Sequence, residues 1–556
     1  ARSARRGGPR PVVSRHEAGA AFAADGYARE TGKLGVCITT SGPGATNLIT
    51  GVACAYDNSV PILAITGQPA LPSFGKRALQ ESSCTGVNTV GMFQHCTRYN
   101  SLVSHADQVE HKLVNAVLRA HHTPQGPAHL SIPVDILRSP LERSERAYDL
   151  AALLRDKAAL IDKRAVDHLQ QELARAARKV FFIGPSCGEA IDVIMALVEA
   201  TDAEFITSPD AKGLINPRHH AFRGVFGFGG HASAEAVLRS RPDLVVAFGT
   251  GFGELSSSGW CSSMLNRNLV HVDSCEQNLM RSPMARLHVR GDLRQVCERL
   301  LRRMPAPAAA RDNVFNIADV RPDACNPAVA LQEPVKFHSD DAPIKPQRLM
   351  KELSLRCPPN TRFLADTGNS MIWAVHYLQP FNRRAGRRPA ADGPATPERR
   401  SGTANWLRTT MDFAPMGWAI GAAIGIARGN PNNPVVCITG DGSYLMSGQE
   451  ITTAVQEQLP VVFVILNDSA YGMVMHGQRL AGAEPIAYEL PGVDYALMAE
   501  AVGADGYIVE KPADLDALDF EAILSHNGPS VIDVRIDREE VPPMILRLKT
   551  LGSVKK

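Results

Sequence analysis

The sequence predicts an α/β protein of three doubly wound domains, each built on a parallel β-sheet, and three observations support this prediction. Short apolar runs alternate with helix-like patterns in three stretches, residues 1–145, 165–303 and 346–545. Runs such as 461–466 are continuously apolar, which is typical of strands buried on both faces of a parallel sheet. A stretch rich in Pro, Ala and Asp, residues 304–345, is typical of an interdomain linker.

Composition excludes several classes of protein. The chain has 556 residues, of which 44% are hydrophobic and 21% charged, as expected for a globular protein of several domains. Its net charge of +2 indicates no nucleic-acid surface, and no apolar run reaches the ~18 residues of a membrane-spanning helix. The basic N-terminus lacks the apolar segment of a secretory signal. Eleven scattered cysteines without a Cys-x-x-Cys pair favour a reducing, cytoplasmic location, and Cys37, Cys54 and Cys437 are predicted core residues.

In the first stretch, strands are predicted at residues 34–40, 61–66 and 129–135. A helix rich in Ala and Gly opens at His16 and carries Glu17 in its first turn. Burial without a cation would raise the pKa of this carboxyl group and let it share a proton with a partner. The alternative is an acid that faces solvent or stabilises the N-terminal end of the helix dipole.

The second stretch opens with a predicted strand at residues 180–184 and has a central strand at 244–249. The third stretch contains an arginine-rich segment, residues 381–403, that is predicted to be a surface loop. Its charge either meets an anionic group or is solvated.

Two hard oxygen ligands follow two neighbouring apolar runs in the third stretch. Asp441, within Gly-Asp-Gly-Ser, comes after the run 435–439, and Asn467 comes after the run 461–466. In a parallel sheet both side chains emerge at the carboxyl edge, where open α/β sheets bind ligands. Such a pair suits Mg²⁺, which takes few protein ligands and fills its other positions with phosphate and water. The glycines let a phosphate approach the backbone closely. The alternative is an ordinary βαβ unit with a Gly-rich turn.

Six motifs match one enzyme family in order and spacing. They are RHEAGAAFAADGYARETGK, TTSGPGATNL, DNSVPILAITGQ, MGWAIGAAIG, GDGSYLMSGQEITTAVQEQLPVVFVILND and VIDVRID. Over nearly all of its length the chain resembles the thiamine-diphosphate-dependent acetolactate synthase (acetohydroxyacid synthase) large subunits and their pyruvate-oxidase-like relatives. The resemblance implies an N-terminal domain that binds the pyrimidine of thiamine diphosphate (ThDP), a central domain of the FAD- or nucleotide-binding type, and a C-terminal domain that binds diphosphate and Mg²⁺.

The resemblance also implies roles for single residues. Glu17, in the Arg-His-Glu motif, would hydrogen-bond the pyrimidine ring and drive the imino tautomer that removes the thiazolium C2 proton. Gln80 would reach the reacting centre. Asp441 and Asn467 would bind Mg²⁺, with the main-chain carbonyl of Ser469 as the third protein ligand.

Further positions would contact the cofactor or the substrates. Met416 matches the large apolar residue that wedges between the two cofactor rings, and the alternative is plain core packing. His476 is predicted either to contact substrate or to lie on a helix surface. The remaining cofactor positions implied by the resemblance are Gly42, Gly368, Asn369, Ser370, Ala414, Gly440, Gly442, Ser443 and Met473, and the substrate pocket adds Leu79 and Gly477.

Four departures from the family pattern change these expectations. Only fifteen residues precede His16, so we expect the first domain to be truncated at its start, without the family's first strand and Gly-Pro-Gly loop. The two arginines of the family's FAD-contacting run are Gly251 and Leu255 here, which removes strong phosphate contacts and argues against FAD. The lysine of the Pro-Lys-Asp motif is Val134. The tryptophan that shapes the acceptor pocket falls at Gly477, which predicts a different or larger acceptor.

The resemblance implies an enzyme that decarboxylates a 2-oxo acid, with pyruvate as the expected donor, and ligates the resulting enamine to a carbonyl acceptor. With a second pyruvate as acceptor the product is 2-acetolactate. In the family one subunit supplies the glutamate and another the diphosphate site, so a homodimer or homotetramer is implied, with no nucleic-acid or membrane partner.

Two other functions stay open at this point. One is a simple 2-oxo acid decarboxylase, and the other is a non-catalytic protein built on a ThDP-type fold. Such decarboxylases often use a His-His pair near the active site, whereas His95, His121-His122 and His219-His220 lie outside the matching motif.

Overall fold

The computed structural model describes residues 8–83, 86–140, 149–155, 160–304, 326–380 and 405–544. The arginine-rich segment 381–403 lies outside the described residues. None of the described helices combines the length and apolar character needed to cross a membrane.

The first domain contains a four-stranded parallel sheet. Its strands are β1 (Gly35–Thr39), β2 (Ile62–Gln68), β3 (Tyr99–Leu102) and β4 (Ala128–Pro133). Its helices are α1 (Glu17–Thr31), α2 (Pro43–Asp57), α3 (Thr89–Phe93), α4 (Gln108–His121) and α5 (Val134–Arg138), and α6 (Leu150–Arg155) follows. The strand order is β1-β2-β4-β3.

The central domain contains a six-stranded parallel sheet. Its strands are β5 (Lys179–Ile183), β6 (Glu204–Thr207), β7 (Phe222–Val225), β8 (Leu244–Phe248), β9 (Leu269–Asp273) and β10 (Leu287–Arg290). Its helices are α7 (Lys163–Arg175), α8 (Ile191–Thr201), α9 (Ala232–Arg239), α10 (Glu276–Leu279) and α11 (Leu293–Leu301). The strand order is β10-β9-β8-β5-β6-β7.

The third domain contains a second six-stranded parallel sheet. Its strands are β11 (Arg362–Ala365), β12 (Leu407–Arg408), β13 (Val435–Gly440), β14 (Val461–Asn467), β15 (Asp505–Val509) and β16 (Ser530–Arg535). Its helices are α12 (Pro346–Arg356), α13 (Asn369–Tyr377), α14 (Trp418–Gly429), α15 (Asp441–Ser447), α16 (Ile451–Glu457), α17 (Gly472–Leu480), α18 (Tyr495–Ala501), α19 (Pro512–Ala517) and α20 (Phe520–Ser525). The strand order is β12-β11-β13-β14-β16-β15.

The prediction of three parallel-sheet α/β domains is confirmed. The central strands are buried along their whole length, as in β8 and β14, because helices cover both faces of each sheet. Three cysteines predicted to be core residues, Cys37, Cys54 and Cys437, are buried, and the nine cysteines among the described residues are all free thiols.

The first and third domains meet along α1 and α14. A Cβ on Gly26 would lie 2.1 Å from the carbonyl oxygen of Ala422, so only glycine permits this approach of the two helices. Near the end of α1, the buried carboxylate of Glu30 accepts a hydrogen bond from the Arg362 guanidinium at 2.9 Å. The helix that carries Glu17 is therefore fixed to the third domain of its own chain.

The predicted linker is folded where it is described, at residues 326–345. Asn326 is buried, and its side-chain amide donates to the carbonyl of Pro217 in the central domain at 3.0 Å. Phe337 and Ile344 are buried in the core of the third domain. Asn326 holds the start of this stretch to the central domain and the two apolar side chains hold its end in the third domain, so the stretch does not span freely between them.

A buried lysine joins the central domain to the third. Lys212 lies in a short 3₁₀ helix after β6 and is 1% exposed. Its Nζ donates to the carbonyl oxygens of Ala374 at 3.2 Å and Val375 at 2.7 Å, in the last turn of α13. Carbonyls at the C-terminal end of a helix carry partial negative charge and stabilise a cation. Burial nevertheless lowers the pKa of Lys212 from 10.5 to about 7.

Replacing Lys212 by methionine should flatten the pH dependence of stability above pH 7. Because the folded pKa lies below the unfolded value, the unfolded wild-type chain binds more protons between about pH 7 and pH 10, and its free energy of unfolding rises with pH. One such group contributes a slope of up to ~1.4 kcal/mol per pH unit. Thermal unfolding of both proteins across this range measures the difference. Equal slopes would show that Lys212 does not titrate there.

Candidate active site

Asp441 and Asn467 lie side by side at the carboxyl edge of the third sheet. β13 and β14 pair in parallel, and their register runs to Gly440 opposite Leu466. Asp441 is the next residue after Gly440 and starts α15, while Asn467 ends β14. The structure thus places both side chains where the strand pattern predicts them.

Asp441 offers an open ligand atom. Its side chain is 2% exposed, and Oδ1 accepts a hydrogen bond from the Gly442 N–H at 2.7 Å, whereas the buried Oδ2 has no hydrogen-bond partner. Burial raises the pKa of Asp441 to about 6. Burial, together with the charge of Asp441, raises the pKa of the adjacent Asp468 to about 7. A buried acid next to a half-buried one favours a bound cation, and a divalent metal ion fits this donor set.

The amide of Asn467 is held in one orientation. Its Nδ2 donates to the Asp533 carboxylate at 2.8 Å and to the Val493 carbonyl at 3.3 Å. Its Oδ1 therefore points into the following turn, where it accepts only long contacts of 3.3 Å from the N–H and the hydroxyl of Ser469. Because its hydrogen bonds are long, this amide oxygen is available as a ligand for a hard cation such as Mg²⁺.

Ser469 shapes the turn after β14. Its φ of 50° lies in the left-handed region. Its carbonyl oxygen accepts from the Leu490 N–H at 2.9 Å and from Nη2 of Arg538 at 3.0 Å. A carbonyl oxygen has two lone pairs, so both are engaged. A metal ion at this oxygen, as the resemblance implies, would have to replace one of these two donors.

The start of α13 lies open beside these residues. Gly368 precedes the helix with a φ of 106°, and a Cβ there would meet nothing within 4 Å. Two buried atoms, Oγ1 of Thr367 and Oδ1 of Asn369, have no hydrogen-bond partner, and Ser370 is buried in the same turn. Nδ2 of Asn369 lies 2.7 Å from where a Cβ on Gly472 would stand, so α13 and α17 start close together. Unpaired N–H groups of helix starts favour an anion such as a diphosphate.

The first turn of α15 forms the neighbouring wall. Gly440 faces open space, and Ser443 is buried. A Cβ on Gly442 would lie 2.7 Å from the ring of Tyr471 and 3.4 Å from Cε of Met416. The predicted wedge residue therefore lies directly against the turn that follows Asp441.

A buried aspartate fixes the loop of the wedge residue. Asp366, at the end of β11, accepts from the N–H of Gly417 at 2.9 Å and from the hydroxyl of Thr439 at 2.9 Å. Burial raises the pKa of this carboxyl group. Ala414 and Met416, immediately before Gly417, are both half-buried. Asp366 thus ties this loop to two strands of the sheet.

Glu17 and Gln80 lie at the same edge of the first sheet. Glu17 is half-buried, and Oε2 accepts from Nδ2 of Asn47 at 3.1 Å. The carboxylate lies beside Gly44, since Oε1 is 3.4 Å from where a Cβ on this glycine would stand. Gly42, with a φ of 61°, leaves room for Gln80, whose Cβ lies 2.9 Å from the position of a Cβ on Gly42. Each of the two predicted catalytic side chains thus lies beside a glycine of the turn that follows β1, Glu17 beside Gly44 and Gln80 beside Gly42.

The third domain of the same chain holds the start of α1. Glu450 is buried, and its Oε1 accepts from the backbone N–H groups of Arg15 at 3.0 Å and His16 at 2.8 Å. A Cβ on Gly19 would lie 2.4 Å from the same oxygen. The bonds satisfy backbone donors beside the first turn of α1, which carries Glu17. A cavity of about 290 Å³ adjoins this contact and is also lined by Met416.

The predicted substrate-pocket residues differ in their surroundings. His476 is buried in α17, so the alternative of a surface histidine is wrong, because this face of the helix packs inward. Its Nδ1 has no hydrogen-bond partner, and burial lowers its pKa. Gly477 is buried on the same helix, and Leu79 is 89% exposed. Met473, which was predicted to contact the cofactor, also lies on this helix and packs against the core of the central domain.

Sequence reasoning missed four side chains of this region: Asp366, Glu450, Asp533 and Arg538. Asp366 follows an apolar strand, the position at which Asp441 was found, so the same pattern could have identified it. Glu450 and Asp533 stand inside two of the matched motifs but were given no role. No sequence pattern marks Arg538, because its contacts to the turn after β14 arise only from the fold.

Comparison with known proteins finds relatives over nearly the whole chain. Three family models match: the thiamine pyrophosphate enzyme N-terminal TPP binding domain at residues 1–88, the central domain at 166–300 and the C-terminal TPP binding domain at 398–534. A putative acetolactate synthase large subunit of Mycobacterium tuberculosis is 31% identical over 96% of this chain and 92% of its own length. The acetolactate synthase isozyme 2 large subunit of Escherichia coli is 29% identical, over 97% and 91% respectively. A probable acetolactate synthase large subunit of Methanococcus aeolicus is 28% identical, over 96% and 87%.

Proposed function

Because the chain belongs to the thiamine pyrophosphate enzyme family of acetolactate synthase large subunits, we propose that it is a ThDP- and Mg²⁺-dependent carboligase. It decarboxylates a 2-oxo acid, pyruvate, and transfers the remaining two-carbon unit to a carbonyl acceptor. The observation that carries the proposal is the buried, unpartnered Oδ2 of Asp441 beside Asn467, at the carboxyl edge of a parallel sheet.

The third domain holds the metal and the diphosphate. Asp441 and Asn467 bind Mg²⁺, with the Ser469 carbonyl as the third protein ligand. The diphosphate lies against the helix starts at Gly368, Asn369 and Ser370 and at Gly442 and Ser443, where N–H groups and open space meet an anion. 

Met416 supports the cofactor rings, and Glu17 exchanges a proton with the pyrimidine. The cofactor, when bound, supplies the carbanion chemistry, and the protein supplies position and a dry site.

A homodimer brings the two halves of the site together. Among the described residues, the hydrogen bond of the Glu17 side chain goes to Asn47 within the first domain. Large apolar side chains around the site elements are exposed, including Leu79 at 89% and Met446 at 50%. Burying such side chains against a second copy of the chain is favourable. The glutamate of one subunit then serves the cofactor held by the third domain of the other.

FAD is not required in this proposal. Gly251 stands where the family's arginine would contact the flavin nucleotide, and Arg281 donates to the Gly251 carbonyl at 3.1 Å. Nη1 of Arg281 lies 2.9 Å from the position of a Cβ on Gly251, so this guanidinium occupies the space beside the glycine. The free, mostly buried thiols also agree with a reducing, cytoplasmic location.

Product analysis tests the proposal. The chain is incubated with ThDP, Mg²⁺ and pyruvate, then with added aldehydes or 2-oxo acids as acceptors, each with and without FAD. We expect carbon–carbon bond formation that is independent of FAD. Acetaldehyde as the sole product would favour the simple decarboxylase. No product, together with no calorimetric binding of ThDP and Mg²⁺, would favour a non-catalytic protein.

The positions of the two His-His pairs do not support the alternative function of a simple 2-oxo acid decarboxylase. His219 and His220 lie in the central domain, where Nε2 of His219 contacts the Glu199 carboxylate at 3.0 Å. His121 and His122 are at the end of α4, which leads into β4, so they lie at the amino edge of the parallel sheet, opposite the turn that follows β1. None of these pairs adjoins Glu17 in the described residues.

A further inference from the structure

Arg538 donates hydrogen bonds to two consecutive backbone carbonyls in the turn after β14. Nε of Arg538 donates to the carbonyl oxygen of Asp468 at 2.8 Å, and Nη2 donates to that of Ser469 at 3.0 Å. The planar guanidinium presents N–H donors in a rigid fork, and two of these donors reach the two neighbouring carbonyls. Arg538 forms no ion pair with a carboxylate among the described residues, so its bonds go to backbone oxygen.

The two donors on the Ser469 carbonyl differ in mobility. The Leu490 N–H belongs to the backbone beside a bridge between Ala470 and Glu489, so this donor is fixed by the fold. The Arg538 donor stands at the end of a long side chain with several rotatable bonds. A metal ion that takes the Ser469 oxygen therefore displaces Arg538 and leaves the Leu490 bond in place.

The charges around the turn also favour displacement of Arg538 by a metal ion. The guanidinium of Arg538 lies close enough to the carboxyl group of Asp468 to interact with its charge, and Asp468 in turn interacts with Asp441. The guanidinium thus supplies part of the positive charge that Asp441 and Asp468 favour. A divalent cation at Asp441 and Asn467 would stand next to it, and the two positive charges repel each other.

We propose that Arg538 competes with the metal ion for the carbonyl oxygen of Ser469 and so sets the metal affinity of the site. In the metal-free chain it holds the turn in the shape that presents Asn467 and Asp441. On metal binding it swings away from Ser469. This inference rests on the proposed function, because it assumes the metal at that site.

Calorimetry on the full chain tests this competition. Mg²⁺ is titrated into the protein in the presence of saturating ThDP, and the dissociation constant is compared among variants. Arg538→Gln removes the charge, and we expect Mg²⁺ to bind about tenfold more tightly than in the wild type. Arg538→Lys keeps the charge but loses the fork, and its affinity should lie between the two. Arg479→Gln is the matched control, because Arg479 pairs with Glu539 at the surface and its loss should leave the affinity unchanged.

The outcomes separate the inference from the proposed function. Unchanged or weaker Mg²⁺ binding in Arg538→Gln, with normal wild-type binding, would overturn the competition and make Arg538 a support of the turn. Absence of Mg²⁺ and ThDP binding in the wild type and in every variant would overturn the proposed function and the inference with it. Tighter binding in Arg479→Gln as well would assign the effect to net charge and would also overturn the competition at Ser469.

Discussion

Replacing Glu17 by glutamine is expected to slow exchange of the cofactor C2 proton by roughly two to four orders of magnitude while ThDP stays bound. The side chain lies in the first turn of α1, in the first domain, whereas the diphosphate and the metal are assigned to the third. Its loss therefore removes proton transfer but none of the contacts that hold the charged end of the cofactor. In this variant the rate of C2 proton exchange should therefore fall while the affinity for ThDP stays near that of the wild type.

The geometry makes glutamine a suitable probe. Glu17 accepts from Asn47 at 3.1 Å, and glutamine keeps an oxygen that accepts the same bond. Glutamine has nearly the same size as glutamate, so it fits beside Gly44 in the same way. What glutamine lacks is a titratable proton to share with the pyrimidine ring. The variant thus removes the capacity for proton transfer while nearly keeping the shape of the side chain.

Exchange is measured by transferring the holoenzyme into deuterated buffer, quenching with acid and recording the remaining C2 proton by NMR. ThDP affinity is measured in parallel by calorimetry. Asp107→Asn is the control, because it removes one carboxylate of the same domain from a side chain that is 90% exposed. An exchange rate equal to that of the wild type would exclude Glu17 from proton transfer. Loss of ThDP binding would instead assign it a structural role.

The sequence was sufficient for the parts of the site that follow from local pattern. Continuous apolar runs predict buried parallel strands, and the residue after each run necessarily lies at the carboxyl edge. Asp441 and Asn467 were therefore predictable as neighbours, and β13 and β14 pair accordingly. The helix rich in Ala and Gly that was predicted to open at His16 is also present, as α1.

The side chains that hold these groups in place were not predictable in this way. Glu450 reaches the N–H of His16 across 434 residues of sequence, and Asp366 reaches Gly417 across 51. Arg538 reaches the Ser469 carbonyl across 69. Such contacts depend on how domains and loops pack, and no periodicity or turn signal encodes them. The burial of His476 has the same origin, because the face of a short helix that packs inward is set by its neighbours.

Replacing Asp441 by asparagine is expected to weaken Mg²⁺-dependent ThDP binding by more than about 100-fold, which exceeds the 10–100-fold losses typical of residues that only support a metal ligand. The substitution removes an anionic ligand while keeping the size of the side chain and an oxygen that can accept from the Gly442 N–H. The metal-free fold should survive, because the ionised carboxylate is itself unfavourable there: burial raises its pKa to about 6, above the ordinary 3.8.

A thermal-shift experiment makes this loss visible without any assay of activity. A ligand at 100 times its dissociation constant stabilises the folded state by about 2.7 kcal/mol, and a 100-fold weaker ligand at the same concentration by only about 0.4 kcal/mol. The upward shift in Tm given by ThDP with Mg²⁺ should therefore nearly vanish in Asp441→Asn. Asp340→Asn, at a surface carboxylate that is 84% exposed, should keep the full shift. An undiminished shift in Asp441→Asn would remove this carboxylate from the metal site, and the assignment of Asn467 beside it would then lose its basis.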